Sequence, residues 1–294
     1  MIGLVDKQGK KQLRAHALKL IEQDQFEGLI ILIEVLKEKT FRISRKKMWL
    51  MCAASRGHIE IVKHLLSYSF KNRLIKPETL QEILNCTLQR AAEKGHLEVV
   101  KHLVHQGADI HADTEYCLRW AAASNHVETV EYLIAQGADI HVLNESALIR
   151  SAAQGKLETV KCLVKHGANI HAVNNQALIC AAQEGHLDVV KYLVEHGANI
   201  HAVDNYALRF SAEGGYLETV KYLVEHGADI QAHENSSLVY SAENGYLEVV
   251  RYLVEQGADI RAQENKALRY AAENGHTEVV EYLEEVLKND RTHQ

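Results

Sequence analysis

From residue 91 onward the chain repeats itself every thirty residues, and a period of that length dictates an array of small supersecondary units rather than one globular core. The blocks AAEKGHLEVVKHLVHQGADIHA and AAASNHVETVEYLIAQGADIHV set the register. It holds at Ala91, Ala121, Ser151, Ala181, Ser211, Ser241 and Ala271, and again at Gly107, Gly137, Gly167, Gly197, Gly227 and Gly257. Upstream, CAASRGHIEIVKHLL (52–66) is the same unit displaced by 38 residues, because of an insertion over 68–78 that Pro77 closes as a helix-start proline. Residues 20–33 align with it in degraded form at a spacing of 33. Nine helix pairs are expected: a degenerate capping repeat and basic linker over 1–44, then a repeat array over 45–294. The last unit, 265–294, reads as a polar cap in which Thr277 replaces the usual leucine and Glu281, Glu284, Glu285 and Lys288 coat the surface.

Inside a unit the periodicity is helical throughout. Leu208, Ser211 and Ala212 share one helical face at i, i+3, i+4, and that face is small enough for a close neighbour. Gly215 breaks this helix. Leu217, Val220, Leu223 and Val224 then form the apolar stripe of a second helix whose far side carries Glu218 and Lys221. Gly227 sits where a helix C-terminus needs a left-handed residue, and Ala228, Asp229 and Ile230 lead into a short extended connection. With a single proline in 294 residues, little interrupts such helices. The expected class is all-α.

The core A-A-x-x-G-H-L-E-V-V-x-x-L-[LV]-x-x-G-A-D-[IV] resembles the ankyrin repeat. The match is specific over 84–288, good over 45–68 and weak over 13–38. The resemblance implies an ankyrin-repeat solenoid of stacked helix-turn-helix units. The common unit is about 33 residues with a Thr-Pro-Leu-His start. Here that start reads Cys117-Leu118-Arg119 or Ala147-Leu148-Ile149, and three residues are missing between Ile110 and Cys117 and in each later equivalent. Those three residues fall where the family has its β-hairpin, so shortened hairpin loops are expected. The thirty-residue variant further resembles ankyrin families of giant DNA viruses of amoebae, which implies a viral protein engaging a host factor.

Charge and cysteine usage narrow the setting. Residues 1–80 carry 16 Lys and Arg against 8 Asp and Glu, whereas 181–294 carry 9 against 20, within a net charge of −6. A net acidic chain lacks the continuous basic face that phosphate contact requires, so nucleic acid is not the expected partner. The cysteines Cys52, Cys86, Cys117, Cys162 and Cys180 are odd in number and form no CxxC pair, which fits a reducing, intracellular compartment. The N-terminal MIGLVDKQGKKQLRAH lacks a secretory core, and the most apolar run, 29–36, is short and contains Glu34, so neither a secreted chain nor a membrane span is expected.

Enzyme chemistry finds no foothold, and no cofactor or metal is expected. No HExxH, phosphate-binding glycine loop or Gly-x-Ser-x-Gly elbow occurs. Of 18 histidines, His58, His96, His126, His186 and His276 open second helices, while His111, His141, His171 and His201 follow the Asp/Asn-Ile step. Equivalent side chains of stacked repeats stand about 10 Å apart, too far to share a metal ion at about 2 Å per bond. Scaffold hydrogen bonding is the expectation. Pairs such as Glu98 with Lys101, Asp188 with Lys191 and Glu248 with Arg251 are i, i+3 helix neighbours worth a few tenths of a kcal/mol each.

Binding residues on a solenoid are those that vary between units. Two places beyond Leu208, about 200° around the first helix from the core, stands Phe210. Its equivalents are Arg90, Trp120, Arg150, Cys180, Tyr240 and Tyr270, a series rich in the residue types of interaction hot spots. Glu213, Glu243 and Glu273 recur on the same face, with Glu234 and Glu264 in the preceding turns. A concave face of this kind suits a protein partner with a basic amphipathic or extended segment. The plainer alternative is that the rings pack on neighbouring helices and the acids are merely solvated. A basic patch, Lys37, Lys39, Arg42, Arg45, Lys46 and Lys47, lies near Phe41 and Trp49. A monomer is expected, and end-to-end self-association through basic and acidic termini is the alternative.

Overall fold

A computed structural model describes residues 7–23, 25, 27–28, 43–71 and 76–292. Among the described residues it contains 17 helices and no strand. It divides into two compact units, residues 1–142 and 143–294.

In the first unit α1 (Lys7–Glu22) packs on α2 (Ile43–Ser55), the first helix of a pair completed by α3 (Ile59–Lys71). The pairs α4 (Pro77–Glu93) with α5 (Leu97–His105), and α6 (Ala112–Ala123) with α7 (Val127–Ala135), follow. First helices stack on first helices and second on second. Pro77 opens α4, where its missing N–H costs nothing. The second half of the degenerate first pair falls outside the described residues.

The second unit continues the same plan with α8 (Val142–Ala153), α9 (Leu157–Lys165), α10 (Ala172–Gln183), α11 (Leu187–Glu195), α12 (Ala202–Glu213) and α13 (Leu217–Glu225). It ends with α14 (Ala232–Glu243), α15 (Leu247–Glu255), α16 (Ala262–Glu273) and α17 (Thr277–Thr292). The even-numbered helices α10 to α16 form one layer and the odd-numbered α9 to α17 the other. Leu208, Ala212, Val220 and Leu223 are fully buried between the layers, so each stripe is covered by its neighbours and no pair is independently stable. On the solvent side of α13, Lys221 donates to Glu218 at 2.8 Å. Gly227, at φ +95°, ends that helix: its N–H reaches Val224 O at 3.0 Å and the Ala228 N–H reaches Leu223 O at 2.9 Å, closing a Schellman motif.

The loop between units is short, as the three missing residues implied, and it is built as a left-handed turn. Three consecutive residues have positive φ in each thirty-residue unit, for example Val203 (51°), Asp204 (53°) and Asn205 (60°). The same holds at 113–115, 143–145, 173–175, 233–235 and 263–265. Left-handed backbone costs an L-residue about 1–2 kcal/mol, most for β-branched Val173 and Val203. A hydrogen-bond ladder offsets it. At 175, 205 and 235 the third residue of the turn is buried, and its side-chain oxygen accepts a backbone N–H of the following repeat: Asn175 from Asn199 at 2.8 Å, Asn205 from Asp229 at 2.9 Å, Asn235 from Asp259 at 2.8 Å. Asp229 in turn accepts the Gln231 N–H at 2.9 Å, which fixes the entry into the next turn.

Candidate interaction face

The first helices place the predicted binding positions on their solvent-facing sides. In the second unit Phe210, Tyr240 and Tyr270 are half-buried, more sheltered than exposed rings would be. Phe210 meets Tyr206 edge-on at 5.4 Å, and the Lys266 ammonium lies 5.3 Å from the Tyr270 ring centre. Glu213 and Glu243 are half-buried three residues beyond their rings, and Glu273 is exposed. Among the described residues none of these three carboxylates forms an ion pair.

The first unit shows why. There Arg90 stands in the place of the ring, exposed, and it pairs with Glu93 at 2.8 Å while Lys94 approaches the same carboxylate at 3.1 Å. Burial works to raise the Glu93 carboxyl, but Lys94 and Arg90 together hold it below its ordinary value. Exchanging Arg for an aromatic therefore removes the intrachain cation and leaves the acid at +3 available. Trp120, half-buried, stacks obliquely on Tyr116 at 5.6 Å. Arg150 is exposed and donates to Ser146 Oγ at 3.2 Å, and Cys180 receives the Gln176 amide. The aromatic series is thus confined within the second unit to Phe210, Tyr240 and Tyr270.

Sequence reasoning missed Tyr206 and Arg209. The Arg209 guanidinium carbon lies 4.1, 4.6 and 5.6 Å from the ring centres of Tyr206, Phe210 and Tyr240. The one available signal was the Tyr-x-x-x-aromatic spacing at Tyr116/Trp120 and Tyr206/Phe210, which puts two rings on one helical face.

Of the basic patch, only Lys47 has a described side chain. Lys37, Lys39, Arg42 and Phe41 lie outside the described residues, and Arg45 and Lys46 belong to α2 with side chains that are also outside them. Lys47 donates to Glu82 at 2.6 Å, and that bond raises its pKa. Trp49, expected beside the patch, is 2% exposed and belongs to the core. Its helix buries the apolar face of α2, and Trp49 falls on it.

The histidines perform scaffold work. His96, His126, His186 and His276 each hydrogen-bond through Nε2 to a carbonyl of the preceding unit, Ser55, Glu93, Ala153 and Glu243, at 2.9–3.1 Å. Among the described residues no group of three His, Cys, Asp or Glu is arranged to hold a metal ion. No described helix is long and apolar enough to cross a membrane. The Asp188–Lys191 pair does not form; Asp is a methylene shorter than Glu, and Lys191 lies over the Tyr222 ring at 5.8 Å instead. Its Glu-based counterparts do form, Lys101 with Glu98 at 2.8 Å and Arg251 with Glu248 at 3.9 Å.

Stacked helical hairpins with repeat-invariant cores and repeat-variable outer positions define a helical-repeat protein. Its particular lineage follows from comparison: the sequence matches ankyrin repeats over residues 20–114, 118–204 and 208–292. The chain belongs to the ankyrin repeat family, whose members generally serve as protein-protein interaction modules. Its fold resembles the crystal structure of the human ASB11 ankyrin repeat domain, with a TM-score of 0.61 and 23% identity over 67% of this chain and 96% of that one. No curated protein matches it.

Proposed function

We propose that the chain is a non-enzymatic protein-interaction scaffold that grips its partner on the outward face of the first helices. The observation that carries this reading is the replacement of the Arg90–Glu93 pairing by Phe210, Tyr240 and Tyr270 beside carboxylates that form no ion pair among the described residues. Half-buried aromatics are enriched at interface centres, and the carboxylates beside them suit the polar rim around such a centre. The left-handed turns hold their helices in fixed register, so the face is preorganised and little ordering entropy opposes binding. The likeness of the thirty-residue unit to giant-virus arrays supports a viral protein acting on a host factor, within the cytoplasm of an infected cell.

Affinity capture from a host-cell extract tests the face. Replacing Phe210, Tyr240 and Tyr270 together with Ala abolishes capture of the specific partner while the helical circular dichroism is retained. Retention of every captured protein by that variant removes the proposal. The asymmetry of 16 basic against 8 acidic residues over 1–80, and 9 against 20 over 181–294, favours a second reading, end-to-end self-association. Sedimentation separates the two, because assembly through opposite charge weakens with salt.

A further inference from the structure

On the second unit's solvent-facing side one cation is held by rings alone. Arg209 is half-buried, its Nε atom is sealed from solvent without a hydrogen-bond partner, and among the described residues the guanidinium forms no hydrogen bond or ion pair at all. Glu213 stands one turn further along α12, at the spacing where Arg and Glu ordinarily pair, yet the two do not meet. The rings of Tyr206, Phe210 and Tyr240 hold the guanidinium elsewhere.

Arg119 provides the comparison inside the same chain. It occupies the same place in its repeat, and it turns back to donate to Thr114 O at 2.8 Å and to Asp113 O at 2.9 Å. An arginine at this position therefore has acceptors within reach on its own left-handed turn. Arg209 forgoes them, and its Nε donor is left buried and unmet, which is costly. Side-chain entropy has been lost already, since three rings restrict the guanidinium before any partner arrives.

Resting on the interaction face proposed above, we infer that Arg209 is a receptor for a carboxylate side chain, an Asp or Glu of the partner protein. A planar carboxylate matches the guanidinium fork with two parallel hydrogen bonds, and the surrounding rings shelter those bonds from water. One repeat along lies a cavity of about 190 Å³ lined by Val239, Tyr240, Gln263 and Lys266 among others. It has room for one side chain, with the Tyr240 ring and the buried Val239 as its apolar part. The partner segment accordingly carries an acidic residue for Arg209 close to an apolar residue for the slot beside Tyr240.

Selection of a random twelve-residue phage-displayed peptide library on the immobilised full chain tests this. Peptides enriched on the wild type share an Asp or Glu near an apolar residue. Their affinity, measured with synthetic labelled copies, falls about tenfold or more on both Arg209→Gln and Arg209→Lys, the latter because an ammonium keeps the charge without the fork. Changing the shared acid to its amide costs as much on the wild type and nothing further on Arg209→Gln. Thermal melts of each variant establish that the fold is retained, and Arg209→Lys, matched in charge, keeps the test decisive should Arg209→Gln unfold. Enriched peptides without a shared acid, or equal affinity for Arg209→Lys, overturn the inference. Peptides that lose affinity for a Phe210→Ala, Tyr240→Ala, Tyr270→Ala variant but ignore Arg209 leave the face standing and remove the receptor; indifference to both sets of changes, or no enrichment, removes both.

Discussion

The side-chain oxygen of Asn205 accepts the backbone N–H of Asp229 at 2.9 Å, tying the left-handed turn of one repeat to the start of the next turn, 24 residues on. The same oxygen lies 3.1 Å from His201 Nδ1, so a single buried amide serves both its own turn and its neighbour's. Asn205→Ala removes the acceptor and places a less tolerant residue at φ +60°. A destabilisation of about 1–2 kcal/mol is expected, the sum of a lost hydrogen bond and the left-handed penalty. Urea unfolding measures it, and a loss below about 0.5 kcal/mol, the scale of an ordinary surface change, shows that the ladder contributes nothing.

The helix hairpins were legible in the sequence because their determinants are local and repeated. Leu223 and Gly227 recur in kind thirty residues away, and each reports the same environment. The left-handed turn was not legible. Val203 and Thr114 have no preference for positive φ, and the stabilising contact of Asn205 is to a residue in the next repeat. The candidate face was half legible. Phe210, Tyr240 and Tyr270 could be placed on an outward helical face by counting, but the position of Arg209 depends on Tyr240 from the adjacent unit, which no single helix reveals. Trp49 is a related case: its proximity in sequence to a basic run said nothing of the direction in which α2 buries its side.

Gly215 and Tyr246 form a second inter-repeat device. A Cβ on Gly215 meets Cδ1 and Cε1 of the Tyr246 ring at 2.6 and 2.7 Å, and the backbone there has φ +74°. Gly215→Ala therefore carries the left-handed penalty of about 1 kcal/mol and an overlap costing another 1–2 kcal/mol. In a Tyr246→Ala background only the first survives. Comparing the four melts isolates the overlap, and strict additivity of the two substitutions refutes the close approach.

Cys117 is fully buried, and burial, with Glu115 and Asp109 adding to it, pushes its thiol up to about 12. At pH 8 its thiolate fraction is on the order of one in ten thousand, and no reagent reaches it without opening of α6. Iodoacetamide at that pH labels the half-buried Cys86 and Cys180 well before Cys117, whose modification follows the unfolding rate. Peptide mapping by mass spectrometry over a time course decides it, and early labelling of Cys117 shows that α6 is looser than its packing implies.

Glu115 occupies the ladder position that Asn175, Asn205 and Asn235 fill elsewhere, and the substitution has a pH signature. Its Oε1 accepts the Asp139 N–H at 3.2 Å and lies 2.5 Å from His111 Nδ1, while its Oε2 is buried without a partner. The hydrogen bond to Glu115 raises the His111 pKa, with Asp109 and Asp139 contributing in the same direction against partial desolvation. A raised folded-state pKa means that the pairing stabilises fully below the unfolded value, about 6.5, and is lost as pH rises through the folded value. Glu115→Asn keeps the ladder acceptor, eliminates the stranded oxygen and removes the largest contribution to the raised His111 pKa. Its melting temperature should therefore lie closest to, or below, that of the wild type near pH 6 and gain on it progressively toward about pH 8. Parallel curves for the two proteins across that range dispose of the coupling, because a buried carboxylate that does not sense His111 gives the wild type no slope the variant lacks.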